Sequence, residues 1–366
     1  MKKILFFINT LHGGGAEKVL VDLLCGLDNS SYCMTLVTVT GGVYRDKLPE
    51  YVECKQLVRG NSAVSHFLAK IVYKLPPKLV YSLVSQKQYD YEIAYLEGFP
   101  TKVIASGRKK VRKIAFVHCD VSVTDVLKKQ YLDFSKCAME YAKFDKVCFV
   151  SQAARNGFEK TVGKPENAVV VHNVINYAYI HKKAQEETSQ IFETIGMKII
   201  AVGRIAKEKA YDRLIRVAAK LEKKYSFQIC ILGDGGERAY LEQLIQEQSV
   251  QSVKLLGYQS NPYALMKQAD LFVCSSLFEG YSTAVAESLT LGLPVITTDC
   301  AGMNELLDNG KYGVIVENSE QALQEGLERI LADRSLYNSM KQAALARRDM
   351  MPSTGALQQY ERLLGE

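Results

Sequence analysis

The sequence predicts two doubly wound α/β domains, and three observations carry that expectation. A chain of 366 residues is longer than one hydrophobic core comfortably serves, which favours two domains of roughly 150–200 residues each. Short, near-continuous apolar runs alternate with helical segments, the pattern of parallel strands covered on both faces. The alternation occurs twice, once on either side of a polar stretch from Asn176 to Gly196, so each half is expected to build its own sheet.

The elements follow in order. Lys2-Lys3 and the apolar Ile4–Ile8 imitate an export signal only until Asn9 and a glycine loop interrupt them, so Ile4–Asn9 reads as a buried strand. Glu17–Gly26 reads as a helix and Thr35–Val39 as a strand, with further strands at Glu92–Leu96, Lys113–His118 and Val147–Ser151. In the second half the strands are Lys198–Gly203, Gln228–Gly233, Val253–Gly257, Leu271–Ser275, Pro294–Thr298 and Gly313–Val316. The last segment reads as helical to Met351, is broken by Pro352, and resumes from Gly355 to Leu364. The expected domains are residues 1–175, residues 176–345, and a terminal helix within 346–366 that returns to the first domain.

Composition narrows the function classes. With 48% hydrophobic and 23% charged residues the chain is neither disordered nor fibrous. No apolar run approaches the roughly 18 residues of a membrane span. The nine cysteines include no CxxC and no Cys/His pair at metal-ligand spacing, and Cys148, Cys230 and Cys274 fall in strands, so reduced, buried thiols of a cytoplasmic protein are expected. The net charge of +6 divides unevenly: residues 1–170 carry 25 basic against 16 acidic side chains, residues 171–366 carry 21 against 24. Between Lys55 and Lys113, 12 basic residues meet only Asp90, Glu92 and Glu97. The first domain is therefore expected to meet something anionic. Nucleic acid is disfavoured, since no binding motif is present and Trp is absent.

Three glycine loops follow predicted strands. In His12-Gly13-Gly14-Gly15-Ala16-Glu17, the third fingerprint position falls on Lys18, which argues against a nicotinamide or flavin site. The loop still suits close approach of backbone N–H groups to a phosphate or sugar. In Val202-Gly203-Arg204 through Lys209, Arg204 with Lys207 or Lys209 would suit a diphosphate at the carboxyl end of a strand. In the third, Glu279 and Glu287 flank a helix start at Gly280-Tyr281-Ser282-Thr283, whose N–H groups and hydroxyls would face anions or sugar oxygens.

The ordered set of motifs resembles glycosyltransferase family 4, retaining enzymes of the GT-B fold with two Rossmann-like domains facing each other across a cleft. The matching pieces run along nearly the whole chain: Gly13–Glu17, His118, Val150-Ser151, His172–Ile175, Val202–Arg204 with Lys209, Gly233-Asp234-Gly235, Leu256-Gly257, Ser276 through Glu287, Gly292–Ile296, and Gly302 with Glu305. The resemblance implies that Arg204 and Lys209 neutralise the departing diphosphate of a nucleotide sugar, most often UDP. It implies that Glu287 holds the ribose hydroxyls and Glu279 the transferred sugar, with Gly280, Tyr281, Ser282 and Thr283 contacting sugar and phosphate. Gly14 and Gly15 would line the donor, and His118 would face the sugar. Neither cofactor nor metal is implied; Asp90-Tyr91-Glu92 enters a strand and reads as a structural boundary. The chain departs from the family at Ala210, where glycine is common, and at Tyr281-Ser282-Thr283, a version most similar to bacterial capsule and exopolysaccharide enzymes. A lipid-linked saccharide acceptor is implied.

Over Ser65–Gln86, Lys70, Lys74 and Lys78 recur every four residues among apolar ones, predicting one basic helical stripe and peripheral contact with the anionic inner face of the plasma membrane. Arg108-Lys109-Lys110 and Arg112-Lys113 are expected to add to it. The rival expectations are a sugar-nucleotide epimerase or hydrolase of the same fold, and a non-catalytic subunit that scaffolds a partner.

Overall fold

The first strand, Lys2–Ile8, buries Ile4, Phe6 and Ile8 in one core and Leu5 and Phe7 in another. Side chains alternate with period two, so an unbroken apolar run belongs to a sheet covered on both faces. The computed structural model describes residues 1–60, 62–351 and 355–365. It divides into two units, one running from Met1 to Val174 and joined by the C-terminal helix Gly355–Gly365, the other beginning at Ile175.

In the first unit the strands are β1 (Lys2–Ile8), β2 (Tyr32–Thr38), β3 (Glu53–Gln56), β4 (Tyr91–Ala94), β5 (Arg112–Val117), β6 (Lys146–Phe149) and β7 (Ala168–Val170). They pair in parallel in the order β3-β2-β1-β4-β5-β6-β7. In the second unit β8 (Met197–Val202), β9 (Phe227–Leu232), β10 (Val253–Gly257), β11 (Leu271–Cys274), β12 (Val295–Thr298) and β13 (Val314–Val316) form the order β10-β9-β8-β11-β12-β13, again all parallel. Strand order reverses between β1 and β4, and again between β8 and β11. Such switch points open a crevice at the carboxyl ends of the strands, where ligands of open α/β sheets bind.

Two strands escape a reading from sequence, β3 and β7. Both are short sheet edges and only partly buried; β3 carries no apolar run, and that of β7 is only a few residues long. The helix Gly355–Gly365 packs in the first unit: Tyr360 stacks on Phe116 at 5.3 Å and its hydroxyl lies 3.2 Å from that of Tyr95. Helix Arg334–Met350 precedes it, and the break expected at Pro352 lies outside the described residues.

The predicted lysine stripe is split. Helix Ala63–Val72 carries Lys70 and closes at its cap residue Tyr73, whereas Lys74 lies in the following turn and Lys78 in the next helix, Pro77–Val84. Pro76 disfavours helical geometry at Leu75, and Pro77 starts a new helix at its first position. Arg112 and Lys113 open β5 at the amino edge of the sheet, and Arg108 is spent on the carbonyls of Lys87 and Ser85. They do not extend the Lys70 surface. Asp90 and Glu92 have structural uses: Asp90 accepts the Lys3 N–H at 2.7 Å, and buried Glu92 accepts from Tyr81 and Ser85. Cys148, Cys230 and Cys274 are buried as expected, while Cys25 and Cys33 are exposed.

Candidate functional site

The second switch point assembles a cluster of polar and charged side chains. After β8 the chain turns through Gly203 and Arg204 into a short 3-10 turn, Lys207–Lys209, and after β11 it runs through Ser275 to Glu279 before helix Thr283–Thr290. Lys209 Nζ donates to Glu279 Oε1 at 2.6 Å, and Ser276 Oγ donates to the same oxygen at 2.6 Å. Burial pulls the Lys209 ammonium downward, but the adjacent Glu279 carboxylate outweighs it and holds the lysine above its ordinary value. Lys209 therefore stays charged. The two loops are also stitched by their backbones: Ser275 Oγ donates to the Lys209 carbonyl at 2.8 Å and the Leu277 N–H to that of Glu208 at 2.8 Å.

Glycines let these loops close on one another. A Cβ at Gly203 would lie 3.2 Å from Lys209 Cε, so a side chain there would push the lysine aside. A Cβ at Gly233 would meet the Gly203 carbonyl oxygen at 1.9 Å, and one at Gly302 would meet the Gly280 oxygen at 2.5 Å. Ala210 sits in the left-handed region at φ 46°, where glycine is favoured. That strain costs about 1 kcal/mol, and its buried methyl returns about 0.8 kcal/mol. The substitution of alanine for glycine is thus close to neutral.

The other expected residues fall around this edge. Arg204 is 66% exposed and paired with Glu208 at 2.6 Å, one helical turn on in sequence, not with Glu279. Ser282 caps helix Thr283–Thr290 by accepting the Val285 N–H, which leaves Thr283 at the positive end of the helix. Gly280 and Ser282 are buried, and burial pushes up the Tyr281 hydroxyl. Glu287 is buried one turn into the helix and accepts from Tyr263 at 3.3 Å.

Arg213 escapes the sequence reading. It is buried and donates to the Ser275 and Ser276 carbonyls, and to Asn318 Oδ1 at 2.8 Å. Asn318 in turn donates to the Leu277 carbonyl at 2.7 Å. Together they clamp the backbone that presents Glu279. The missed signal is spacing: Arg213, Val217 and Leu221 recur every four residues along helix Tyr211–Leu221, so a charge occupies a core position.

In the first unit the glycine loop is already engaged. Gly14 caps helix Gly15–Gly26, and the N–H groups of Gly13 and Gly14, expected to be open to a ligand, donate to the Glu17 carboxylate. His118 follows β5, at the same carboxyl edge. Its ring packs 4.9 Å from Tyr95, its backbone N–H donates to buried Glu97 at 2.9 Å, and its Nε2 is buried without a hydrogen-bond partner among the described residues. Glu97 also accepts from Cys119 Sγ, and its own carboxyl is pushed up by burial. It too escapes the sequence reading, although it is one of few acids in a basic stretch.

Burial pushes the His118 imidazole down to about 3 from an ordinary 6.5. The unfolded chain therefore takes up a proton that the native state refuses as pH falls through that window. The group's contribution is complete above 6.5 and drains away below it, by about 2 kcal/mol near pH 5. Thermal melts of wild type and His118→Gln between about pH 7 and about pH 5 check this. The variant is expected to lose less stability on acidification; parallel curves would refute the assignment.

Comparison with known proteins decides the class. The family model for group 1 glycosyl transferases matches residues 182–347, which hold the Lys209–Glu279 cluster. Over 363 residues, 95% of each chain, the sequence is 27% identical to the N-acetylgalactosamine-N,N'-diacetylbacillosaminyl-diphospho-undecaprenol 4-alpha-N-acetylgalactosaminyltransferase of Campylobacter jejuni. The chain is a glycosyltransferase, and its residues 182–347 match the group 1 family. This glycosyltransferase is also 22% identical over 348 residues to the amylovoran biosynthesis glycosyltransferase AmsD of Erwinia amylovora, with 94% of each chain covered. Its fold matches that of Anabaena HepE in complex with UDP-glucose, at a TM-score of 0.78 and 20% identity over the full length of both. The glycosyltransferase is thus an enzyme that transfers sugars, with a two-domain GT-B fold.

Proposed function

We propose that the enzyme transfers a sugar with retention from a nucleotide-diphosphate sugar, preferably a UDP-sugar, to a lipid-linked saccharide during assembly of envelope or capsular polysaccharide. The observation that carries this reading is the charged Lys209 held on Glu279 beside a helix N-terminus at the switch point. Breaking the anomeric bond sends an electron pair to the diphosphate and leaves positive charge on the ring. Lys209 and the Thr283 amide end stabilise that departing charge in place, and Arg204 joins them by exchanging Glu208 for phosphate. No metal is needed in this scheme. Glu279 takes the sugar hydroxyls, Glu287 the ribose, and Gly280, Tyr281 and Ser282 line the donor. The acceptor oxygen bonds to the anomeric carbon on the face the diphosphate leaves, and its proton passes to the leaving phosphate.

Similarity to a relative named for an undecaprenol-linked substrate, and to a fold neighbour that binds UDP-glucose, supports this choice of acceptor and donor. A lipid-linked acceptor calls for peripheral contact with the anionic inner face of the cytoplasmic membrane, and no described helix is long and apolar enough to cross one. A thermal-shift screen over UDP-, GDP- and dTDP-sugars tests the donor. A UDP-sugar at about a hundred times its Kd is expected to add about 2.7 kcal/mol of stability. No shift with any of them overturns the donor reading, and a larger one with GDP-sugar reassigns the nucleotide.

A further inference from the structure

Helix Ala63–Val72 is apolar on two faces. Ser65, Ala69 and Val72 turn into the first unit. Val64, Phe67, Leu68 and Ile71, spaced as one continuous stripe, turn outward, and Phe67 is 62% exposed. A soluble helix ordinarily covers such a stripe or replaces it with polar residues, so a second apolar face in water marks a surface built to be covered. The next helix repeats the device on a smaller scale with exposed Leu79 and Leu83.

Position and charge say what covers it. The helix begins just beyond the carboxyl end of β3, and its cap Tyr73 packs 4.8 Å from Phe99, which starts the helix after β4. Both ends therefore lie at the sheet edge that carries the glycine loop and His118. Lys70, Lys74 and Lys78 are exposed, and the sequence holds no Asp or Glu from Cys54 to Tyr89 while carrying six Lys or Arg there. A second copy of so basic a surface would be repelled, whereas an anionic one is attracted.

We infer that the outward stripe of helix Ala63–Val72, flanked by Lys70, Lys74 and Lys78, docks the first unit onto an anionic lipid bilayer. The stripe enters the headgroup boundary and the lysines stay at the phosphates, as an interfacial helix does. The inference rests on the proposed membrane contact and names the surface that makes it.

Sedimentation of the full chain with vesicles of phosphatidylcholine alone, or mixed with phosphatidylglycerol, tests it. Wild type is expected to sediment with the mixed vesicles only. Phe67→Ser with Ile71→Ser is expected to weaken that binding by about tenfold or more. Lys70→Gln, Lys74→Gln and Lys78→Gln together are expected to weaken it by roughly a hundredfold. All five positions are exposed, so melting temperatures report that the fold survives. Wild-type binding unchanged in the Phe67/Ile71 variant overturns the assigned surface while the membrane contact stands. No wild-type binding to either vesicle overturns both. A concentration-dependent dimer abolished by the same variant would make the stripe a contact between copies, and would equally overturn the inference.

Discussion

Lys209→Ala is expected to lower kcat by about two to three orders of magnitude, with a much smaller change in KM for the donor. The reason lies in when the charge is needed. The donor diphosphate is anionic before and after transfer, but it gains negative charge as the anomeric bond breaks, so a fixed ammonium favours the transition state over the bound substrate. Lys209 is fixed: its ammonium and the Ser276 hydroxyl converge on one oxygen of Glu279, and Gly203 leaves room for its stem. Glu279→Gln, which keeps the shape of the site and removes its charge, is expected to lower kcat in the same direction. Steady-state kinetics with a UDP-sugar and the acceptor check both variants, and melts confirm that each folds. A Lys209→Ala enzyme within about threefold of wild-type kcat would remove the lysine from the chemistry.

Arg213→Met is expected to cost about 2–4 kcal/mol and to lower the melting temperature by about 5–10 °C. Met fills much of the volume but donates nothing. The Ser275 carbonyl loses two bonds, the Ser276 carbonyl keeps only those from Thr298 and Cys300, and Asn318 loses its guanidinium partner. Because these groups hold the backbone under Glu279, kcat should fall as well, although Arg213 touches neither Lys209 nor Glu279 by a hydrogen bond. Arg213→Lys separates the two effects: one ammonium restores charge without the forked geometry, so stability should recover more than turnover. Equal melting temperatures in Arg213→Met and wild type would refute the clamp.

The central strands are legible in the sequence because burial on both faces leaves an unbroken apolar signature, as in Ile4–Ile8 or Ile229–Leu232. The edges β3 and β7 have one neighbour and partial cover, so nothing in Glu-Cys-Lys-Gln distinguishes a strand from a loop. The charged members of the site are legible as motifs, since a cation after β8 and a carboxylate after β11 have few structural reasons to be there. Their partners are not. Glu17 closing on the glycine amides, Glu97 under His118 and Arg213 behind Ser275 depend on which loops meet in space. The lysine period of four suggested one helix, but Pro76 and Pro77 set where helices can run, and the backbone obeyed them first.

The stacking of Tyr360 on Phe116 bears on how the chain is made as well as on how it is held. At about 5–20 residues per second, ribosomes need roughly 10–40 s to travel from Val174 to Tyr360. Through that interval the nascent first unit lacks the aromatic ring that covers Phe116 and the hydroxyl that meets Tyr95, while the whole second unit is being synthesised. Completion of the first unit therefore waits on a helix that is synthesised only after the whole of the second.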